Sequence, residues 1–328
     1  MICVAGGGWW TWAPLLVVFA GVPLLDAIGG ISEESRVSPD LDRNIWFKAV
    51  TWAWVPVQLA LLIWALAVAA TGQLTPLELA GAALSVGAAT GTIGITFAHE
   101  LVHRRAPFER ALGEILLASV SYTHFAIEHV HGHHRHVATP HDPATARLGE
   151  SFYRFLPRTV VGSVTSAWRL EGERLARRGR SIWSPANRML RYGATQAALY
   201  PAVWWTFGGA ALAVFAGQAV TAFMLLEVIN YIEHYGLMRK EIAPGEYERI
   251  GPQHSWDSAY RLSNWMLINL ARHSDHHLAA AKRYQSLELP AHAPQLPAGY
   301  GAMFLLALVP PLWFRVMDPR VEAVSTGG

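Results

Sequence analysis

The chain has 328 residues, 52% of them hydrophobic and only 15% charged, where a soluble globular protein carries about 25% charged residues. That deficit excludes a disordered chain, the lone Cys3 excludes a disulfide scaffold or a thiolate metal site, and a net charge of +2 gives no case for nucleic-acid binding. What remains is an integral membrane protein whose chemistry is built from something other than cysteine.

A helix crosses the hydrocarbon core with about 20 apolar residues. Residues 9–28 and 49–70 meet that length, and so do residues 77–98, where Gly81, Gly87, Gly91 and Gly94 suit close helix packing. The stretch 193–232 is too long for one span and carries Gly208-Gly209 near its middle, which predicts two helices joined by a tight turn. The expectation is therefore an all-α integral membrane fold with five transmembrane helices. Residues 111–127, with Glu114 and His124, and residues 299–317, with Pro310-Pro311, read as interfacial or protein-buried segments.

Lys and Arg in the loops set the orientation. The turn at 71–76 has neither, whereas Arg36, Arg43 and Lys48 precede span 2, Arg residues fill 99–192, and Arg239-Lys240 follow the last span. Residues 29–48, 99–192 and 233–328 are accordingly predicted to face the cytoplasm. Within that region, 154–191 holds nine Arg against Glu171 and Glu173. This basic face suits anionic headgroups and could also dock an acidic soluble partner.

The 15 His concentrate in four boxes on the same side. His99-Glu-Leu-Val-His103 closes the third span, and His129-Val-His-Gly-His133-His134 follows the 111–127 segment. Asn230-Tyr-Ile-Glu-His234-Tyr-Gly closes the fifth span, and Arg272-His273-Ser-Asp-His276-His277 lies in the C-terminal part. Side chains at i and i+4 share a helix face, so His99 with His103, His129 with His133, and His273 with His277 can each address one centre. His134 and His276 can join the same centre or an adjacent one. Nine imidazoles exceed what one tetrahedral ion uses, and they fit two metals. His124, His131, His136, His141, His254 and His292 lack the paired spacing and are read as non-ligands.

Two chemistries compete for these residues. His99-Glu100-Leu-Val-His103 is a literal H-E-x-x-H, in which Glu100 would be the general base of a zinc metallopeptidase, but that reading leaves three boxes without a role. Redox chemistry on a substrate that lives in the bilayer uses them all.

The boxes resemble those of the integral-membrane alkane 1-monooxygenase family, within the fatty-acid desaturase and hydroxylase group. The resemblance runs from Pro23-Leu-Leu-Asp26 to Met317-Asp-Pro-Arg-Val321. It is closest over Glu128–Glu150, over Asn230–Leu237, and over Leu270–His277 with Tyr284-Gln-Ser-Leu287. The Asn230–Leu237 box separates this family from ordinary desaturases. The resemblance implies a single membrane oxygenase domain over 1–328. Transmembrane helices 1–3 would occupy 9–98 and helices 4–5 would occupy 193–232. The regions 99–192 and 233–328 would form a cytoplasmic helical cap holding a histidine-rich di-iron site. The family usually has six spans, and here Met1–Gly8 stands where the first would be.

Carried over position by position, the ligands of the two non-haem irons are His99, His103, His129, His133, His134, His234, His273, His276 and His277. Glu100, Glu128, Glu233 and Asp275 are expected to orient imidazoles through their non-ligating nitrogens, and no catalytic residue beyond the metal centre is expected. The implied reaction is O₂-dependent terminal hydroxylation of a medium-chain n-alkane to a primary alcohol. A methyl group on an aromatic ring, as in xylene monooxygenases, is the runner-up, and a fatty-acid desaturase or hydroxylase is the remaining alternative. Trp52, Trp54 and Gln58 are candidates for lining a substrate channel. With no CxxC pairs and no dinucleotide fingerprint, electrons are expected from a rubredoxin or ferredoxin with its NAD(P)H reductase. Arg174, Arg177 and Arg178 are the candidate dock. The expected location is the inner (cytoplasmic) membrane, with the site facing the cytoplasm.

Overall fold

Apolar sequence without interior charge favours long helices here, because in lipid every backbone N–H and C=O must find its partner within its own segment. The computed structural model describes residues 1–32, 40–41 and 44–326; Arg36 and Arg43 lie outside the described residues. Helices Gly8–Gly29, Ile45–Ala70 and Pro76–Val102 are each long and apolar enough to cross a membrane, as is the 46-residue helical stretch Arg188–Glu233. Two interleaved compact units make up the chain. The first holds Met1–Val18, Lys48–Glu128 and Val164–Leu226, and the second holds Phe19–Phe47, His129–Ser163 and Glu227–Gly328.

In the first unit, Pro76–Val102 starts at a capping box. Thr75 Oγ1 accepts from the Glu78 backbone N–H and Glu78 Oε2 accepts from the Thr75 N–H, with Pro76 at the first helical position. This third span is the most enclosed, and its glycines explain how. A Cβ on Gly87 would lie 2.7 Å from the Gln218 carbonyl oxygen, and one on Gly91 would lie 2.9 Å from Ala222 Cα. Only hydrogen at those positions lets two helix backbones approach so closely.

An unbroken helix over Arg188–Glu233 would be about 69 Å long, more than twice the hydrocarbon core. The break is at Gly208, whose φ of 84° lies outside helical space and suits a residue without Cβ. The chain reverses there. The rings of Tyr200 and Phe215 sit 5.3 Å apart, where a continuous helix would separate them by about 22 Å. Gln196 Nε2 and Gln218 Nε2 donate to the neighbouring carbonyls of Ala118 and Ser119, so the two halves run antiparallel at one level. Spans 4 and 5 are therefore 188–207 and 209–233, as the glycine pair suggests. Helix Pro107–Ser119, at 13 residues, is too short to cross. It packs through Gly113 on Ala98 and Val102.

The second unit gathers around a buried aromatic cluster of Phe152, Phe155, Tyr231, Tyr235, Trp256 and Trp313. Helices Tyr300–Ala307 and Pro310–Thr326 are bent by 119° at the break before Pro310-Pro311, and Met303, Trp313, Met317 and Val321 enter that core. One face of this segment enters the core, whereas Leu305, Val309 and Leu312 stay exposed, and the bent pair is apolar enough for a broken span or a re-entrant loop. Two short antiparallel strands, Glu241–Ala243 and Glu246–Tyr247, follow the fifth span.

Candidate metal centre

Four imidazoles of the second unit converge. His133 ends the turn His129–His133, His234 follows the fifth span, and His273 and His277 lie one turn apart on helix His273–Leu278. The Nε2 atoms of His234 and His273 are 3.1 Å apart, those of His234 and His277 3.2 Å, and those of His273 and His277 2.9 Å. The His133 ring lies 4.7 Å from that of His234 and 4.9 Å from that of His277. All four are buried. A ring nitrogen carries one proton or one lone pair, so three mutually adjacent Nε2 atoms cannot all be satisfied by hydrogen bonds. Around a metal bound at about 2.1 Å, neighbouring ligand atoms are about 3.0–3.4 Å apart, so the spacing suits a coordination shell.

A second group in the same unit comprises His129, His134 and His276. His134 Nε2 lies 3.1 Å from His129 Nε2 and 3.0 Å from His276 Nε2. The sequence spacing pairs His129 with His133, and here the structure differs. Residues His129–His133 form a π-turn, whose i→i+5 bonding widens the helix. His129 and His134 thereby share a side, and His133 turns to the other group. On the α-helix His273–Leu278, His273 and His277 stay together one turn apart while His276 reaches His134. In the first unit, His99 and His103 stand at the end of the third span with their rings 4.9 Å apart.

The ring orientations are fixed from behind. His234 Nδ1 lies 2.8 Å from the Asn230 carbonyl oxygen. A carbonyl only accepts, so Nδ1 carries the proton and Nε2 presents its lone pair. His133 Nδ1 lies 2.9 Å from Asp142 Oδ2, which also accepts from Thr145 Oγ1 at 2.6 Å. Burial works against ionisation of Asp142, but His133 and Thr145 outweigh it and hold the carboxyl below its ordinary value. Burial, followed by the neighbouring His273, His134, His133 and His234, pushes His277 well below its usual range and keeps it neutral, the state that binds metal. Asp257, raised to about 7 by burial, accepts from the N–H and Oγ of Ser274 at 2.7 Å each and anchors the helix that carries three of the histidines.

A fatty acid desaturase family model matches residues 74–307. The chain is 43% identical to alkane 1-monooxygenase 2 of Pseudomonas aeruginosa, over 97% of this chain and 86% of that protein. It is 39% identical to alkane 1-monooxygenase 2 of Alcanivorax borkumensis over 97% and 85%. The xylene/toluene monooxygenase hydroxylase component XylM of Pseudomonas putida is 31% identical over 95% and 82%. The chain belongs to the alkane 1-monooxygenase family. That family sits within the membrane desaturase and hydroxylase group, as the histidine boxes imply, and the chain is a multi-pass membrane protein with a histidine-built metal centre.

The carboxylates beside the boxes of this monooxygenase-family chain make further contacts. Glu100 is buried beside Arg104, whose Nη2 lies 3.5 Å from Glu100 Oε2. Asp275 Oδ2 accepts from Lys282 Nζ and from the Glu288 N–H, both at 2.8 Å, and ties the ligand helix to the 282–288 loop. Glu233 Oε2 lies 3.3 Å from His273 Nε2, on the metal-facing nitrogen and not on Nδ1. Glu128 is buried at the end of Phe125–Glu128. Asp142, which holds His133, and Asp257, which anchors the ligand helix, were not singled out from the sequence. Their signal was the Thr139–Asp142–Thr145 turn and the Asp preceding the last box, and neither has a fixed spacing to a ligand.

Among the described residues, none of the histidines read as non-ligands belongs to a group that could hold a metal. His124, lowered to about 4 by burial, packs on Tyr122 at 4.2 Å between ring centroids. His254 pairs with Glu248 at 3.3 Å. In span 2, Trp54 Nε1 donates to Gln58 Oε1 at 2.8 Å, and Gln58 Nε2 donates to Ser119 Oγ at 2.8 Å. Trp52 donates instead to Glu109 Oε1 at 3.2 Å. Two residues along a helix turn a side chain by about 200°, so Trp52 and Trp54 face different ways and do not form one wall. Of the three arginines proposed for docking, Arg174 is committed to the buried Glu171 and to the Ala186 carbonyl. Arg177 is exposed and 3.9 Å from Glu173, and Arg178 is exposed.

Proposed function

We propose that this protein is an alkane 1-monooxygenase that hydroxylates the terminal methyl group of medium-chain n-alkanes to primary alcohols, using O₂ and two non-haem irons. The observation that carries the reading is the mutual approach of the buried Nε2 atoms of His234, His273 and His277, in a chain 43% identical to an alkane 1-monooxygenase. His133, His234, His273 and His277 are assigned to one iron. His129, His134 and His276 are assigned to the other, together with His99 and His103, whose assignment rests on the sequence resemblance. Neutral imidazoles suit iron as well as zinc or copper, and the alkane monooxygenase resemblance selects iron. Two such irons, when bound, supply the reduction of O₂ and the oxidation of an unactivated C–H bond.

The protein's own contribution is position and protonation. Asn230 and Asp142 hold the protons of His234 and His133 on Nδ1, and burial keeps His277 uncharged. Attack at the strong terminal C–H bond over weaker internal ones requires the chain to be presented end-on. Trp54, braced by Gln58 and set edge-on to Phe97 at 5.8 Å, is the candidate wall for that path. An alkylaromatic methyl group is the less supported substrate, since the xylene/toluene relative stands at 31%. Electrons come from a partner protein, proposed as a rubredoxin or ferredoxin with its NAD(P)H reductase, which docks on the exposed Arg177 and Arg178. The proposed location is the inner membrane, with the histidines on the cytoplasmic side.

The test is turnover of n-alkanes of graded length by purified protein with rubredoxin, its reductase, NAD(P)H and ¹⁸O₂. A 1-alkanol carrying one ¹⁸O is expected. Unlabelled alcohol, a 2-alkanol as the main product, or an alkene would contradict the assignment.

A further inference from the structure

Asp142, which holds His133 from behind, belongs to the segment 137–150, which runs as turns and irregular chain. Asp142, Ala144, Thr145 and Ala146 are buried there, and buried backbone groups must find partners. Orienting a ligand ring asks for a carboxylate placed to within about 0.5 Å, which irregular chain does not fix by itself. The helix Phe152–Ala176 supplies the missing support. Arg158 Nη1 donates to the Pro143 carbonyl and Nη2 donates to the Thr145 carbonyl, each at 3.0 Å. Those carbonyls flank Ala144 and follow directly on Asp142. The guanidinium is itself aimed by a bidentate pair with Glu150, Nε to Oε1 at 2.8 Å and Nη2 to Oε2 at 2.6 Å. Glu150 Oε2 also accepts from the Arg147 N–H at 3.0 Å, which ties down the far end of the same segment. One helical turn beyond Arg158, on the same face, a Cβ on Gly162 would lie 2.7 Å from Pro143 Cβ. The bare glycine therefore lets the Pro143 ring seat against the helix, beside the guanidinium that grips its carbonyl.

We propose that Arg158 and Gly162 form a cradle for the Asp142–Thr145 turn, and that Arg158 is a positioning residue that sets Asp142 on His133 and so shapes the site of His133, His234, His273 and His277. The inference rests on the di-iron reading above. Arg158 touches no ligand, so its whole effect on the metal passes through Asp142. Two consequences separate this role from a general contribution to folding. Loss of Arg158 disturbs one of the two irons, and it adds nothing once Asp142 is gone.

The test is chelator-driven iron release and Mössbauer spectroscopy on ⁵⁷Fe-loaded protein in detergent, comparing wild type, Arg158→Gln, Asp142→Ala and the double variant. Arg158→Gln is expected to release one iron roughly tenfold faster, at the lower end of the range for lost ligand support, and to move one quadrupole doublet while the other stays in place. The double variant is expected to release that iron no faster than Asp142→Ala alone. Effects that multiply in the double variant would show that Arg158 acts independently of Asp142 and would overturn the proposal. Faster release of both irons alike would mark a general loosening and overturn it too. Two irons in wild type with release and doublets unchanged in Arg158→Gln would remove the positioning role and leave the di-iron reading intact. If Arg158→Gln does not fold, Gly162→Ala decides: its added methyl group must displace the Pro143 turn, and release at the wild-type rate overturns the proposal. A wild type that retains no iron overturns the di-iron reading, and the positioning role with it.

Discussion

Asp142 is the sharpest single point at which to perturb the centre without touching a ligand. Its carboxylate is buried, lies 2.9 Å from His133 Nδ1, and is itself held by Thr145 Oγ1 at 2.6 Å and the Ala144 N–H at 3.1 Å. Asp142→Ala removes the carboxylate that fixes the His133 ring from behind and leaves a buried Nδ1–H without that acceptor, a cost of about 1–3 kcal/mol. Loss of such a partner lowers metal affinity by about 10–100-fold, which corresponds to about 1.4–2.7 kcal/mol. Asp142→Asn keeps an acceptor oxygen and is expected to fall between Ala and wild type. The assay is iron content after equilibration with graded chelator, with thermal unfolding as a folding control. Asp142→Ala that folds and holds iron as tightly as wild type would refute the reasoning.

Three further outcomes follow from the same geometry. Glu171→Gln strands Arg174 and Arg188, which share its buried carboxylate. It is expected to cost about 2–3 kcal/mol in thermal or chemical unfolding, below the range for fully buried pairs because both guanidiniums keep some exposure. Although burial opposes ionisation, the two arginines hold the Glu171 carboxyl at about 2. Its stabilisation is therefore present above the ordinary carboxyl range and is lost as pH falls toward 2, and a Gln variant with the wild-type acid profile would contradict this. Gln58→Leu removes the brace on Trp54, so gas chromatography of products from mixed alkanes should show a chain-length profile displaced in the same direction as Trp54→Ser; unchanged profiles in both variants would remove Trp54 from the substrate path. Reversing Arg177 and Arg178 to Glu should lower rubredoxin-coupled turnover and flatten its salt dependence, while turnover with excess small-molecule reductant stays at the wild-type rate.

The spans and ligand residue types were legible in the sequence because each leaves a local signature. The lipid-length apolar runs, the Gly208-Gly209 break and the Pro310-Pro311 bend are written in neighbouring residues, and the structure follows them. The four boxes stand out for the same reason. The sorting of histidines into groups was not legible, because α-helical spacing assigns His129 to His133, and only the π-turn at His129–His133 reverses that. The supports were least visible. Asp142 and Asp257 reach their partners through loop conformation, and Glu233 is held by Tyr300, far away in sequence. Arg174 looked like free surface charge until the burial of Glu171 became visible.

The central claim is that these histidines hold a pair of irons, and elemental analysis of detergent-purified protein tests it most directly. The account predicts about two irons per chain, with one lost in His273→Ala and one in His134→Ala while the protein still folds. One zinc and no iron, after expression in iron-rich medium, would contradict it.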